Sequence, residues 1–163
     1  MPKRTNEVIG DYSMAGSRKN DAPGNIRAGQ NVIGSKGNVL SDEEAEMSRP
    51  KSAVVFLRRK DGKVLAVSRP GDEEDMNMPG GGIEPGESPI DAAKRELWEE
   101  TGLFAFDLVE VYNDGVTVAF RALDANGRLR SSPEGVAAWV PLQRMLQGSY
   151  SNFLRNVVRK IGL

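Results

Sequence analysis

Apolar segments separated by turn signals dominate the chain from residue 51 onwards. Two of them, "SAVVFLRR" (52–59) and "KVLAVSR" (63–69), flank a Lys-Asp-Gly turn and are predicted to form a β-hairpin. The segment that follows, "PGDEEDMNMPGG", is polar and is predicted to be a loop. Three later segments rich in β-branched and aromatic residues are predicted strands: 106–112, 115–123 and 134–140.

A helix is predicted between this loop and the later strands. Ser88 suits the N-cap, Pro89 the first helical position, and Gly102 the left-handed stop after the last turn. The helix should therefore run over Pro89–Thr101. It presents a narrow apolar stripe, which consists of Ile90, Ala93 and Leu97.

The end of the chain, "YSNFLRNVVRKIGL", has the pattern of a second, amphipathic helix. Its apolar residues fall at positions i, i+1, i+4, i+5 and i+8, and Ser151 is the expected N-cap. Strands and helices mixed in this order predict an α/β layered domain over residues 51–163.

Residues 1–50 differ from this domain. They contain six glycines and five asparagines, no Phe or Trp, and only scattered apolar positions. Such a composition is typical of a flexible arm, because it cannot bury enough apolar surface to form a core. We expect an extended N-terminal arm that is dispensable for the chemistry of the domain.

The composition of the chain excludes several kinds of catalytic and metal-binding site. The 163 residues include 22 Lys and Arg against 23 Asp and Glu, which gives no general attraction to nucleic acid or to an anionic membrane. The chain has no Cys and no His, so disulfides, thiolate nucleophiles, imidazole bases and Cys/His zinc sites are excluded. A bound metal would need oxygen ligands, which favours Mg²⁺, Mn²⁺ or Ca²⁺.

The distribution of apolar residues along the chain predicts where in the cell the protein is found. No apolar run approaches the roughly 18 residues of a membrane span, and the N-terminus lacks the apolar region of a signal peptide. We therefore expect a soluble, cytoplasmic protein without a membrane partner.

Three carboxylates of the first helix form a candidate metal site. Glu96, Glu99 and Glu100 lie at i, i+3 and i+4, so they should share about 100° of helix surface and repel one another. A divalent cation would offset this repulsion, whereas a solvated acidic stripe is the simpler alternative. The preceding run, Gly80–Gly82, favours the first interpretation, because backbone without side chains can approach a metal or a phosphate oxygen.

This segment resembles the signature of the Nudix hydrolase family from Gly81 to Leu103. The fixed positions and their spacing all match, and the resemblance extends loosely over about residues 52–147 but not over the first 50. The matching positions are Gly81, Glu87, Arg95, Glu96, Leu97, Glu99, Glu100, Gly102 and Leu103.

The resemblance implies an α/β/α sandwich with a mixed sheet, in which the signature forms a loop, a helix and a second loop. It also implies hydrolysis of a nucleoside diphosphate linked to another group, with Mg²⁺ or Mn²⁺. By position, the metal ligands would be Glu96, Glu99 and Glu100, with the carbonyl of Gly80 as a further ligand.

Two further roles follow from the resemblance. Glu87 and Arg95 are similar to the pair that braces loop against helix, although Arg95 could equally form an ordinary i, i+4 pair on the helix. The general base in the family varies between the glutamate of the Arg-Glu pair, here Glu96, and one from a later loop. Glu134 is the best later candidate and could also bind metal; a solvated turn residue is the alternative.

The substrate stays open at this level. A nucleotide substrate is implied, and nucleotide-pool house-cleaning fits slightly better than the other family substrates, while the near-zero charge argues against long RNA but leaves capped RNA open. The alternative to an enzyme is a nucleotide-sensing or structural module with the same fold. Residues 1–50 could in addition tether the protein in a homo-oligomer or a larger assembly.

Overall fold

The computed structural model describes residue 41 and residues 49–163, so the expectations for the N-terminal arm lie outside the described residues. Within them, the strands are β1 (Ser52–Phe56), β2 (Val64–Arg69), β3 (Asp72–Asn77), β4 (Gly80–Gly82), β5 (Leu103–Phe104), β6 (Leu108–Asn113), β7 (Thr117–Ala122), β8 (Asn126–Gly127) and β9 (Ala137–Val140). The helices are α1 (Pro89–Thr101), α2 (Leu142–Met145) and α3 (Ser151–Ile161). None of these helices is long and apolar enough to cross a membrane.

The strands form a mixed sheet and two smaller sheets. The largest has the order β4-β1-β7-β6, in which β1 and β7 are parallel and the other neighbours antiparallel. A three-stranded antiparallel sheet has the order β3-β2-β9, and β5 pairs with β8. The signature glycines thus lie on an edge strand, β4, directly beside the central strand β1.

Helices cover both faces of the sheets. Successive side chains of a strand point to opposite faces, so Ala53 and Val55 of β1 pack with Leu97 of α1, whereas Phe56 packs with Leu154 of α3. Strand β2 is buried on both faces in the same way. This arrangement is the expected α/β/α sandwich with a mixed sheet.

The first helix begins and ends where the sequence predicts. Ser88 Oγ accepts a hydrogen bond from the Asp91 N–H at 3.1 Å, and Gly102 has φ 76°. The buried face is wider than predicted, since it includes Ala92 and Thr101. The N-cap prediction for α3 was wrong: Tyr150 occupies that position without a side-chain hydrogen bond.

Two predictions about the strands need correction. A turn does connect β1 to β2, with Leu65 N–H donating to the Leu57 carbonyl at 2.9 Å, but the two strands then diverge into different sheets. The segment predicted as a polar loop contains β3, and the glycine run is β4. Both are edge strands, so β3 can be largely exposed and polar, and neither needs the apolar alternation that marks a buried strand.

Candidate active site

Gly80 presents its backbone to helix α1. It lies opposite Val54 in the β1–β4 pairing, while the ladder hydrogen bond is made one residue earlier, from Val55 N–H to the Pro79 carbonyl at 2.9 Å. A residue at such a position directs its own N–H and carbonyl away from the partner strand. The Gly80 N–H accordingly donates to Glu100 Oε1 at 2.8 Å. A side chain at Gly80 would collide with the Ala53 carbonyl.

Gly81 leaves room for a carboxylate. A Cβ at this position would lie 2.5 Å from Glu96 Oε2 and 2.8 Å from Glu96 Oε1. Carbon and oxygen cannot approach so closely without displacement, so only glycine allows the Glu96 carboxylate to lie against β4. Gly80 and Gly81 therefore let helix α1 lie close to β4. Gly80 contacts Glu100 through its N–H, and Gly81 leaves space for the Glu96 carboxylate.

Arg95 connects the loop, the strand and the helix. Its Nε and Nη2 donate to the two oxygens of Glu87 at 2.7 and 3.0 Å, and Nη2 also donates to the Gly82 carbonyl at 2.9 Å. Its Nη1 donates to Glu96 at 2.9 Å and to Glu99 at 3.2 Å. A forked guanidinium holds a carboxylate in a fixed orientation, so both arrangements considered for Arg95 are present at once.

The loop before α1 is held by the same pair. Glu87 Oε1 accepts the Glu84 N–H at 2.9 Å, and the Glu87 N–H donates to the Glu84 carbonyl at 2.9 Å. The hydrogen bond from Arg95 to Glu87 holds the pKa of Arg95 above its ordinary value. This cation keeps its charge and fixes the loop to the first half of the helix.

At Glu96 and Glu100, burial disfavours the charged form of the carboxylate. Burial raises the pKa of Glu100 to about 7; the negative charge of Glu96 adds to the rise, and the hydrogen bond from Gly80 opposes it. Burial also raises the pKa of Glu96, although Arg95 opposes that shift. The negative charge of Glu134 contributes to the raised pKa of both groups.

Glu134 lies in a short turn before β9. Its N–H donates to Ser132 Oγ at 3.1 Å, and Ser132 and Gly135 are joined by reciprocal backbone hydrogen bonds of 3.1 Å. The Glu134 side chain is exposed, yet its charge acts on Glu96 and Glu100. The fold thus brings a residue 34 positions after Glu100 within electrostatic range of Glu96 and Glu100.

The three glutamates of α1 are not equivalent. The Glu96 side chain is 13% exposed and the Glu99 side chain 54%, and each is paired with Arg95, whereas Glu100 points to β4. Across residues 49–163 no three acidic side chains are gathered closely enough to form a ready-made metal cage. The donor set nevertheless suits a hard cation, because it offers several carboxylate oxygens and one outward-facing backbone carbonyl.

Sequence reasoning missed one contributor to this region, Ser68. It is a buried polar residue, 5% exposed, in an otherwise apolar strand, and its Oγ accepts the Val136 N–H at 2.9 Å. A lone serine inside "VLAVSR" was the available signal, since a buried hydroxyl needs a hydrogen-bond partner.

Comparison with known proteins agrees with this geometry. The model of the NUDIX domain family matches residues 48–161. An RNA pyrophosphohydrolase of Brucella anthropi is 42% identical over 83 residues, covering 46% of this chain and 47% of the relative. The homologous protein of Brucella ovis is 42% identical over 85 residues, 47% of each chain. The chain thus spans about half the length of the curated relatives it matches.

Solved structures support the same fold. A MutT protein from Bacillus halodurans has a TM-score of 0.53 at 24% identity and covers 64% of this chain and 78% of its own. A MutT structure from work on Aliivibrio salmonicida and Vibrio cholerae has a TM-score of 0.56 at 18% identity, with coverages of 68% and 97%. Since the family model spans nearly all of the described residues and the fold agrees with it, the chain belongs to the Nudix family.

Proposed function

We propose that the protein is a Mg²⁺-dependent pyrophosphohydrolase that cleaves a nucleoside diphosphate derivative into a nucleoside monophosphate and a phosphorylated remainder. The observation that carries this proposal is the partly buried carboxylate of Glu100, which accepts the Gly80 N–H and on which the negative charges of Glu96 and Glu134 act. The negative charges of Glu96 and Glu134 both disfavour the ionised form of Glu100, and a bound cation would remove that penalty.

Glu96, Glu99, Glu100 and the Gly80 carbonyl would hold the metal. The carbonyl points to the same side of β4 as the Gly80 N–H, which faces α1. Mg²⁺, or Mn²⁺ in its place, supplies charge neutralisation for the pyrophosphate oxygens and for the attacking water when it is bound. Arg95 and Glu87 keep the helix and the glycine strand in a fixed relation.

Glu134 is the proposed general base, and Glu96 the second candidate. Glu96 accepts a hydrogen bond from Arg95 and lies against Gly81, so one of its carboxylate oxygens already takes part in the contact between helix and strand. Glu134 is exposed and close enough to influence both buried glutamates. With no His or Cys in the chain, a carboxylate at the rim is the group best suited to accept the proton of the attacking water.

The substrate class is a nucleotide with a pyrophosphate bond, in keeping with nucleotide-pool house-cleaning. A second candidate is the 5′ end of RNA, because the curated relatives that are 42% identical are named RNA pyrophosphohydrolases. In either role the expected setting is the cytoplasm.

A substrate panel tests the proposal. Nucleoside triphosphates, nucleotide sugars, dinucleoside polyphosphates and a 5′-triphosphorylated RNA are incubated with the protein and Mg²⁺. Pyrophosphate or phosphate release is measured for the triphosphates and the RNA, and the nucleotide products are separated and measured for the other two classes. We expect turnover of at least one class, and loss of that turnover in EDTA. Tight nucleotide binding with no turnover of any class would instead identify a sensing module and overturn the proposal.

A further inference from the structure

The turn that carries Glu134 is held against β2 by a set of small residues that no part of the Nudix signature includes. Ser68, the last buried residue of β2, donates its N–H to the Val136 carbonyl at 2.9 Å. The Val136 N–H goes to the side-chain Oγ of Ser68, also at 2.9 Å. A side-chain oxygen therefore serves as acceptor where the β2–β9 pairing ends at Val67 and Ala137.

Gly135 fits into the space beside this serine. A Cβ on Gly135 would collide with the Ser68 main-chain carbonyl and would lie 3.0 Å from Ser68 Oγ. Because Gly135 directly follows Glu134, any residue with a side chain there would push the turn away from β2. Two other serine hydroxyls complete the arrangement: Ser132 Oγ accepts the Glu134 N–H at 3.1 Å, and Ser131 Oγ accepts the Ala137 N–H at 3.0 Å.

The backbone donors of this turn are all bound within the protein. Three consecutive backbone donors that could face water are each bound by a serine hydroxyl or by the opposite side of the turn. A solvated loop gains little from such fixation, since ordering its backbone costs conformational entropy. The fixation has a purpose if one side chain of the turn must be held in place, and Glu134 is the residue of this turn that the proposed function assigns as general base.

We propose that Ser68 and Gly135 are positioning residues, which hold the turn on β2 so that the Glu134 carboxylate keeps the position in which it would act as general base. The proposal rests on the proposed function, because it assigns these residues to the reaction in which Glu134 takes part. They act through Glu134 and do not touch the substrate.

Kinetics of single and double variants test this inference. Ser68→Ala should lower kcat by about tenfold and change KM little, because a shift of the base by a fraction of an ångström affects the chemical step more than binding. Glu134→Gln should lower kcat further. In the Glu134→Gln background, Ser68→Ala should have no additional effect, since the group that it positions is already lost.

Matched variants distinguish a loss of Glu134 positioning from a general destabilisation of the fold. Ser52→Ala also removes a hydroxyl hydrogen bond, the 2.8 Å contact between Ser52 of β1 and Thr117 of β7, and should keep the wild-type kcat. Gly135→Ala should behave like Ser68→Ala. If it fails to fold, Ser68→Ala alone decides, because it removes one oxygen and adds nothing.

Amide hydrogen exchange gives a readout that does not depend on activity. In the wild-type protein the Val136 amide should exchange slowly, and in Ser68→Ala it should exchange at least about tenfold faster, while the amides of β1 keep their rates. Fast exchange of Val136 in the wild-type protein would overturn the proposal, because the turn would not be held.

Two kinetic results would overturn it as well. One is a wild-type kcat in Ser68→Ala. The other is a pair of effects that multiply in the double variant, which would mean that Ser68 acts independently of Glu134. A wild-type protein without any hydrolysis would refute the proposed function instead, and the exchange rates would still show whether the turn is held.

Discussion

At the scale of single residues, the proposed chemistry depends most on Glu100, whose negative charge is disfavoured by burial and by neighbouring carboxylates. It accepts a hydrogen bond from one neutral donor, the Gly80 N–H, and within residues 49–163 its side chain lies near like charges without a cation as a direct partner. Glu96, one turn earlier, has Arg95 to offset its burial. The difference makes Glu100 the carboxylate that would gain most from a bound divalent ion.

Replacing Glu100 should lower the activity without unfolding the protein. Glu100→Gln should lower kcat by at least about 100-fold at saturating Mg²⁺, because it removes charge where the metal would bind. The fold should be retained, since a Gln carbonyl can still accept the Gly80 N–H. Steady-state kinetics and the far-UV circular dichroism spectrum check both parts, and near-wild-type turnover would refute the metal assignment.

The raised pKa of Glu100 predicts how stability depends on pH without metal. The folded pKa of about 7 lies above the ordinary value of 4.5, so between these values the folded protein binds more protons than the unfolded chain. The stabilisation from a neutral Glu100 is present below about pH 4.5 and is lost as the pH rises through about 7.

The melting temperature in EDTA should therefore fall between about pH 5 and pH 8, and Mg²⁺ should restore it at the upper end. Glu100→Gln is the control, because it cannot titrate and should show a flatter profile. A wild-type melting temperature that rises over this interval would contradict the assigned pKa.

At the scale of elements, strand β4 allows helix α1 to pack at a short distance. Gly80 donates its N–H to Glu100, Gly81 lies so close to Glu96 that a Cβ has no room, and the Gly82 carbonyl accepts a hydrogen bond from Arg95. The edge position supplies the free backbone groups, and the absence of side chains supplies the short distance. The contact between β4 and α1 is thus the element-level feature that sets the geometry of the site.

Two neighbouring substitutions test this contact. Gly81→Ala adds a methyl group 2.5 Å from Glu96 Oε2 and should displace that carboxylate, with a loss of at least about tenfold in kcat/KM. Gly82→Ala is the matched comparison, because its added methyl meets nothing closer than the Lys51 carbonyl at 4.0 Å. Its loss should be clearly smaller; equal losses would show that close approach to Glu96 is not what glycine provides.

At the scale of the whole molecule, residues 49–163 contain both helix layers and all the residues proposed for the reaction. One apolar cluster lies between the sheets and α1, and the second lies under α2 and α3. The family match begins at residue 48, three residues before the boundary expected from composition. Lys51 is already tied into the domain, since its N–H donates to the Val116 carbonyl at 2.7 Å.

A chain of residues 48–163 should therefore fold and should keep the kcat/KM of the full protein. The measurement compares kinetics and molecular mass in solution for the two chains. Equal kinetics with a smaller assembly would support a tethering role for the first 50 residues. A shortened protein that folds but loses most of its activity would mean that those residues contribute to the site, and the expected domain boundary would be wrong.

Local signals allowed the sequence by itself to determine the helix that carries the site and the class of its chemistry. The bounds of α1 follow from Ser88 and Gly102, whose capping roles involve only residues a few positions away. The lack of His and Cys excludes imidazole and thiolate as metal ligands or bases, whatever the fold. The spacing of the signature then identifies the family before any contact is known.

Only the tertiary structure decided how the site is assembled, because its contacts join residues far apart in the chain. Helical periodicity treats Glu99 and Glu100 alike, yet packing against β4 buries Glu100 and leaves Glu99 more than half exposed. The strand pairing of the glycine run and the contact of Ser68 with Val136, 68 positions later, depend on sheet partners that no local pattern specifies. Burial also sets the pKa of Glu100, since desolvation is a property of the folded surroundings and not of the residue.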